Sequence, residues 1–328
     1  MLSYVVNNPE EIAVRRWGEA YRTYRRIWKH AGRGEYLGEV PPFIILDTID
    51  ACNLNCSICH QRGRRRTGTP LDAGRVAALI RDAAPRGLYS INLSAMAEPY
   101  MHPENLYLLA ETCRDAGLMD IMMHTNLLLP DADMIQRTVD AGVTHFCVST
   151  DATTEETYQR MRGGDFSAVM ENMRVLREIK KQRGDGYPII RVSGVPVQEN
   201  HEDMKHFGEF WRDYADIVEI QGYRADDSHS SAGTVITKRK VGCFQPWTRL
   251  MLWPTGEVNF CSSKEGYACP EVILGNYLED PDATLRDYWL GEKAWNIRQA
   301  FRDGDLSSIE SCRECLAKSF VPTEDDFA

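Results

Sequence analysis

At 328 residues, with 43% apolar content and aromatic residues throughout, the chain is long enough for one large barrel or two domains and too apolar to stay disordered. A net charge of −10 leaves no basic footprint for nucleic acid and suits a cationic substrate slightly better than an anionic one. No apolar run approaches the length of a membrane span, and acids follow the short apolar N-terminal run, which speaks against a signal peptide and for a cytoplasmic protein. In that compartment ten cysteines serve as thiols and metal ligands rather than disulfides.

From Pro9 to His30 the residues Ile12, Trp17, Tyr21, Tyr24 and Trp28 recur at helical spacing, and Gly32 ends the pattern. This predicts one helix docked on the body with an Arg-rich outer face, and residues 1–40 read as a helical extension. After Pro41 and Pro42, β-rich runs at 43–48, 88–94, 118–124, 144–150, 188–195 and 216–223 alternate with helical stretches. Six strand–helix units imply an α/β fold with a parallel sheet and right-handed crossovers. Six falls short of the eight that close an ordinary barrel, so residues 41–230 are expected to form an open, partial (β/α)6 TIM-like barrel. Its chemistry belongs at the carboxyl ends of the strands.

The loop after the first of these strands carries Cys52, Cys56 and Cys59 in a C-x3-C-x2-C run. A structural zinc wants four closed ligands, and His60 is too near Cys59 to supply the fourth easily. Thiolates also select iron–sulfur clusters, and a four-iron cluster held by three cysteines leaves one iron open to another ligand. A zinc knuckle or a buried, reduced cluster of thiols is the competing reading. The second strand ends in Ser94-Ala95-Met96-Ala97-Glu98-Pro99, where Glu98 is either a binding group or an ordinary loop acid. Thr125 and Asn126 close the third strand. The fourth runs through Ser149 and Asp151 toward Arg162-Gly163-Gly164: the serine and aspartate alternate onto one face as an acceptor pair, and an Arg fork suits a carboxylate. Asp151 has a helix N-cap as its plainer role. Ser193 and Asn200 flank the fifth strand.

Residues 231–328 break the strand–helix rhythm. Cys243 precedes a hairpin signal, RLMLWPTGEVNF, and Cys261 follows it; Cys312 and Cys315 form a C-x2-C after a helical stretch. Four cysteines so spaced are a full ligand set for a closed cluster or for zinc. Cys113 and Cys147 read as small buried hydrophobes. Cys269 lies in a loop between two of the four, as a reactive thiol or a spare ligand.

The three-cysteine run resembles the signature of the radical S-adenosylmethionine (SAM) enzymes, and 96–99 and 149–164 resemble that family's SAM-binding segments. The C-terminal cysteines resemble its SPASM and twitch extensions, with the shorter twitch form fitting better and the spacing most like that of aminocyclitol-oxidising members. The resemblance implies two [4Fe-4S] clusters, one on Cys52, Cys56 and Cys59 and one on Cys243, Cys261, Cys312 and Cys315. It implies SAM contacts from Ile58, Ala97, Glu98, Asn126, Ser149, Asp151, Arg162 and Ser193. It further implies hydrogen abstraction from a sugar or aminocyclitol, with a flavodoxin or ferredoxin-type reductant. Ala97 stands where the family usually has glycine, which matters if that backbone needs positive φ. In a dehydrogenase the electron leaves through the second cluster and Arg224 contacts the substrate hydroxyl; in an epimerase Cys269 returns a hydrogen atom. A peptide-modifying enzyme and a non-enzymatic electron carrier are the remaining readings.

Overall fold

The computed structural model describes residues 2–59, 61–221, 243–261 and 269–318. Ten strands form one sheet in the order β1-β7-β6-β5-β4-β3-β2-β8-β9-β10. These are β1 (Leu2–Val5), β2 (Phe43–Leu46), β3 (Ser90–Asn92), β4 (Asp120–Thr125), β5 (His145–Ser149), β6 (Ile189–Gly194), β7 (Ile217–Ile220), β8 (Arg249–Leu252), β9 (Glu257–Asn259) and β10 (Ile273–Asn276). The six expected strands are β2 to β7, all parallel to one another.

Side chains alternate across these strands, and the two faces differ in kind. Ile44, Leu46, Ile91, Ile121, Met123, Phe146, Val148, Ile190, Val192 and Val218 point outward and are buried under the helices in one cluster. Those helices include Ala73–Ala83, Pro103–Asp115, Ala132–Ala141, Phe166–Arg183 and His201–Trp211. The opposite face lines the lumen and is mixed: Ser90, Asn92, His124, Cys147, Ser149, Arg191, Ser193 and Glu219 lie on it beside the apolar cluster of Phe43, Ile45, Met122 and Met251.

The expected single helix at 9–30 is two, Pro9–Trp17 and Glu19–Gly32, broken where Gly18 takes φ +58°. A left-handed residue cannot continue a right-handed helix, and glycine takes that conformation at little steric cost. The second helix covers the N-terminal mouth of the barrel. The Tyr21 hydroxyl donates to Asp120 (3.4 Å), that of Tyr24 to Ser90 (3.0 Å), and Trp28 packs edge-on against Phe43. Strand β1, which the sequence does not announce, pairs antiparallel with β7 and covers its edge.

The hairpin signal is realised as β8 and β9, turning at Gly256 (φ +98°). The expected break in rhythm is not a break in the sheet: β8 pairs in parallel with β2, so the C-terminal segment extends the barrel sheet directly. Arg224, at the expected end of the sixth strand, lies outside the described residues.

Candidate active site

The loops at the carboxyl ends of β2 to β6 converge. Asp50, just past β2, takes a two-pronged hydrogen bond from Arg64 and further donations from the amide and hydroxyl of Thr67 (2.9 Å each), closing the base of the loop that carries Cys52, Cys56 and Cys59. Burial opposes charge on Asp50, but the Arg64 and Thr67 donors outweigh it and hold the carboxyl below its usual range. The loop's far side is tied down by the Ser57 amide donating to the Met161 carbonyl (2.9 Å) and by Asn126 Nδ2 donating to Asn53 (2.8 Å).

All three thiols are half-buried and sense one another. Burial pushes the Cys56 thiol up to about 11, with Cys59 and Cys52 adding and the Arg162 guanidinium, 3.9 Å from the sulfur, opposing. Among the described residues no three His, Cys, Asp or Glu side chains close to the geometry of a single metal ion. A four-iron cube takes each thiolate on a different corner, so its ligands stand further apart than those of one ion.

Glu98 is fully buried, and its carboxylate meets protein donors: Thr125 Oγ1 (2.8 Å), the Asn126 amide (2.8 Å) and the Tyr100 amide (3.4 Å). Burial pushes it up to about 7 against those donors. The backbone of Ala97 avoids positive φ, so alanine there carries no strain. The segment owes its shape to a residue the sequence reading missed: Asp47 Oδ1 accepts from the amides of Ala95 (2.8 Å), Met96 (2.9 Å) and Ala97 (3.1 Å). The available signal was a lone acid ending the apolar run Phe43–Leu46.

Asp151 does not cap a helix, since Thr154 is the N-cap of Glu155–Arg162. It sits at φ +57°, pairs with Arg162, and accepts from the Val195 amide (2.8 Å), while Asn200 donates to its carbonyl (2.9 Å). With Leu127 (φ +58°) it is one of two non-glycine residues with positive φ among the described residues, and both follow strand ends at this site. Burial works against the Arg162 charge, and Asp151 and Cys56 more than offset it. Arg162 Nε and the Tyr158 hydroxyl are buried without a hydrogen-bond partner, which suits a polar ligand against this wall. Ile58 and Ser149 are half-buried, and Ser193 pairs in register with Ser149 across β5 and β6.

The auxiliary cysteines also assemble. Cys312 and Cys315 lie one helical turn apart on Glu310–Lys318. Burial, reinforced by Cys261, Cys243, Cys315 and Cys269, pushes the Cys312 thiol well up. A soft four-thiol set of this kind fits a closed iron–sulfur cluster. Cys269 is buried, donates to Glu271 Oε2 (3.2 Å) and shares a short hydrogen bond with Ser311, next to Cys312. Cys113 and Cys147 are buried as expected.

Among proteins of known activity, the chain is 28% identical over 180 residues to a probable GTP 3',8-cyclase of Methanocaldococcus jannaschii, covering 53% of this chain and 56% of the relative. It is 30% identical over 143 residues to an AdoMet-dependent heme synthase of Methanosarcina barkeri, covering 42% and 40%. It spans about half the length of the curated relatives it matches. Among solved structures, SuiB of Streptococcus suis bound to S-adenosylmethionine overlays with a TM-score of 0.61 at 12% identity, covering 85% of this chain and 72% of that one. BtrN in complex with AdoMet and 2-DOIA overlays at 0.53 and 13%, covering 84% and 93%. These likenesses show the fold. The radical SAM superfamily model matches residues 46–209, and an iron–sulfur cluster-binding SPASM domain matches 243–316. Since the first match takes in half the sequence and every loop described above up to Asn200, this chain belongs to the radical SAM superfamily, and its cofactors are S-adenosylmethionine and [4Fe-4S] clusters.

Proposed function

We propose that the chain removes a hydrogen atom from a carbinol carbon of a sugar or aminocyclitol-type substrate and oxidises that alcohol to a ketone. Cys52, Cys56 and Cys59 would hold the cluster that binds SAM, which when bound and reduced supplies a deoxyadenosyl radical. Ile58, the backbone at Ala97, Asn126, Ser149, Arg162 and Ser193 would receive SAM. Glu98 and Asp151 would act in that site chiefly by fixing Asn126 and Arg162. Cys243, Cys261, Cys312 and Cys315 would hold the auxiliary cluster, with residues 41–230 forming the SAM-cleaving part and 231–328 the auxiliary part. A flavodoxin or ferredoxin-type reductant, a cytoplasmic location and a substrate contact from Arg224 complete the reading.

The observation that carries it is the lumen. Three of its polar side chains, His124, Ser149 and Arg191, stay partly open, with Arg191 exposed over 36% of its side chain, while the outward-facing residues beside it, Ile190 and Val192, are dry. A well with accessible polar groups suits a small hydroxylated substrate better than an apolar one. Oxidation is favoured over epimerisation because the Cys269 thiol is held by Glu271 and Ser311 beside the auxiliary cysteines. The curated relatives match over about half of their length, so their names bear on SAM chemistry rather than on this substrate.

The test is anaerobic turnover with aminocyclitols and sugars deuterated at single carbinol carbons. Deuterium should appear in deoxyadenosine, with a ketone two mass units below the unlabelled alcohol. Deoxyadenosine without label from any carbinol position would reject the reading.

A further inference from the structure

The lumen holds a titratable cluster that neither the SAM site nor the auxiliary cysteines use. In the register of the sheet His124 on β4 stands opposite Cys147 on β5, and Cys147 stands opposite Arg191 on β6. The three therefore form one row across adjacent strands, on the lumen face. His124 and Cys147 share a side-chain hydrogen bond. His124 Nδ1 lies 3.1 Å from the Ser94 carbonyl and 3.0 Å from Asn92 Nδ2. The Ser94 carbonyl can only accept, and Asn92 meets the same proton when its amide presents Oδ1 (3.3 Å) rather than Nδ2, so the Nδ1–H tautomer satisfies both and leaves the other ring nitrogen for the thiol proton. Arg191 reaches Glu219 on β7 (3.5 Å) and remains open to the lumen. Below the row lie His145, pushed down to about 3 by burial, and then Asp120, with Arg25 of the covering helix beside it. Ser149 stands above, two residues along β5.

We propose that Cys147, oriented by His124, is the proton acceptor for the substrate hydroxyl, with Arg191 and Glu219 gripping a neighbouring hydroxyl or amine. This rests on the dehydrogenase reading and deepens it. After the carbon-bound hydrogen leaves for the deoxyadenosyl radical, the carbon-centred radical still carries an O–H. That proton passes to the Cys147 thiolate, forming S–H as O–H breaks. The resulting ketyl gives one electron to an acceptor of the iron–sulfur class and becomes the ketone. The thiol then returns its proton to solvent through His124. The electrostatics agree with this assignment. Burial raises the Cys147 thiol, but His124 and Arg191 outweigh burial and Glu219 and lower it; burial depresses His124, and Cys147 more than restores it.

Two measurements test the pair. With a carbinol-deuterated substrate, Cys147→Ala and His124→Gln should still move deuterium into deoxyadenosine. The ketone formed per deoxyadenosine should fall by about a hundred-fold at neutral pH and recover as pH rises and solvent takes the proton. An unchanged ratio, or label transfer and ketone falling together, overturns the proposal. The second measurement needs no substrate: nitrogen chemical shifts of 15N-histidine in the oxidised holoenzyme, with His124 assigned by its loss in His124→Gln. His124 should titrate above the ordinary histidine range in the parent and below it in Cys147→Ala. An identical titration in both overturns the pair even if the substrate class is wrong. A normal pair with no label transfer from any carbinol would instead sink the dehydrogenase reading, and the pair's role in proton acceptance with it.

Discussion

At the scale of single residues, two buried acids, Glu98 and Asp47, hold the loops at the carboxyl ends of β3 and β4. The folded pKa of Glu98 stands above the ordinary glutamate value, at about 7. Its contribution to stability is therefore fully present below the unfolded pKa and is lost as pH rises through 7, to the extent of about 3 kcal/mol. Thermal melts of the cluster-loaded protein should show less stability at pH 8 than at pH 5.5 from this group, and Glu98→Gln should flatten that slope. An unchanged slope would place the pH dependence elsewhere. Asp47 acts on geometry. Replacing it with Ala strands the buried amide of Met96 and the half-buried amides of Ala95 and Ala97, at a cost of about 3 kcal/mol. It should weaken SAM binding while iron content stays at the parent level, and Asp47→Asn, which keeps an acceptor oxygen, should recover part of the loss in a binding titration. For Cys269 the expected outcome is ketone formation by Cys269→Ala at a rate comparable to the parent's, measured against deoxyadenosine. Much of this site was legible: cysteine spacing and strand-end acids pick out residues by chemistry alone. The engagement of Glu98 with Thr125 and Asn126, and of Asp151 with Arg162, was not, because partners 27 and 11 positions apart meet only through the sheet and its loops.

Among the elements, the strands at β2 to β7 could be read because each is a short β-rich run between helical stretches, the alternation that parallel strand–helix units demand. Strand β1 could not. The run is only four residues long, and it becomes a strand because β7 offers an unpaired edge. Nor does periodicity register Gly18, since one glycine interrupts a helical pattern without changing its apolar spacing. The edge has a testable role. Removing residues 1–7 should expose β7 as a free edge and raise concentration-dependent association in light scattering, because unpaired strand edges recruit other strands. If the shortened chain stays as dispersed as the parent, β1 is dispensable as an edge cover.

For the molecule as a whole, the C-terminal segment that carries the second thiol set joins the barrel sheet directly, because β8 lies against β2. Only the register of β8 on β2 could have shown this, and a hairpin signal carries no information about which outer strand it joins. The two thiol sets nevertheless come from different segments. Changing Cys52, Cys56 and Cys59 together to Ala should leave about four irons per chain if each set binds a cubane. Iron falling to zero in anaerobic protein would show that the sets are not independent.

The helix Glu19–Gly32 turns the barrel from a tube into a blind well. Tyr21, Tyr24 and Trp28 engage Asp120, Ser90 and Phe43, all at the first residues of their strands, so among the described residues this helix covers the end of the lumen opposite the strands' carboxyl ends. SAM, if received by the loops at the carboxyl-end rim as proposed, would stand across this way in. Traffic through such a well would be first in, last out: on the proposed placement of SAM, the substrate would descend before SAM closes the rim, and the product would leave after methionine and deoxyadenosine. The steady-state signature is an ordered mechanism, in which a non-reacting SAM analogue traps substrate already inside and slows its escape.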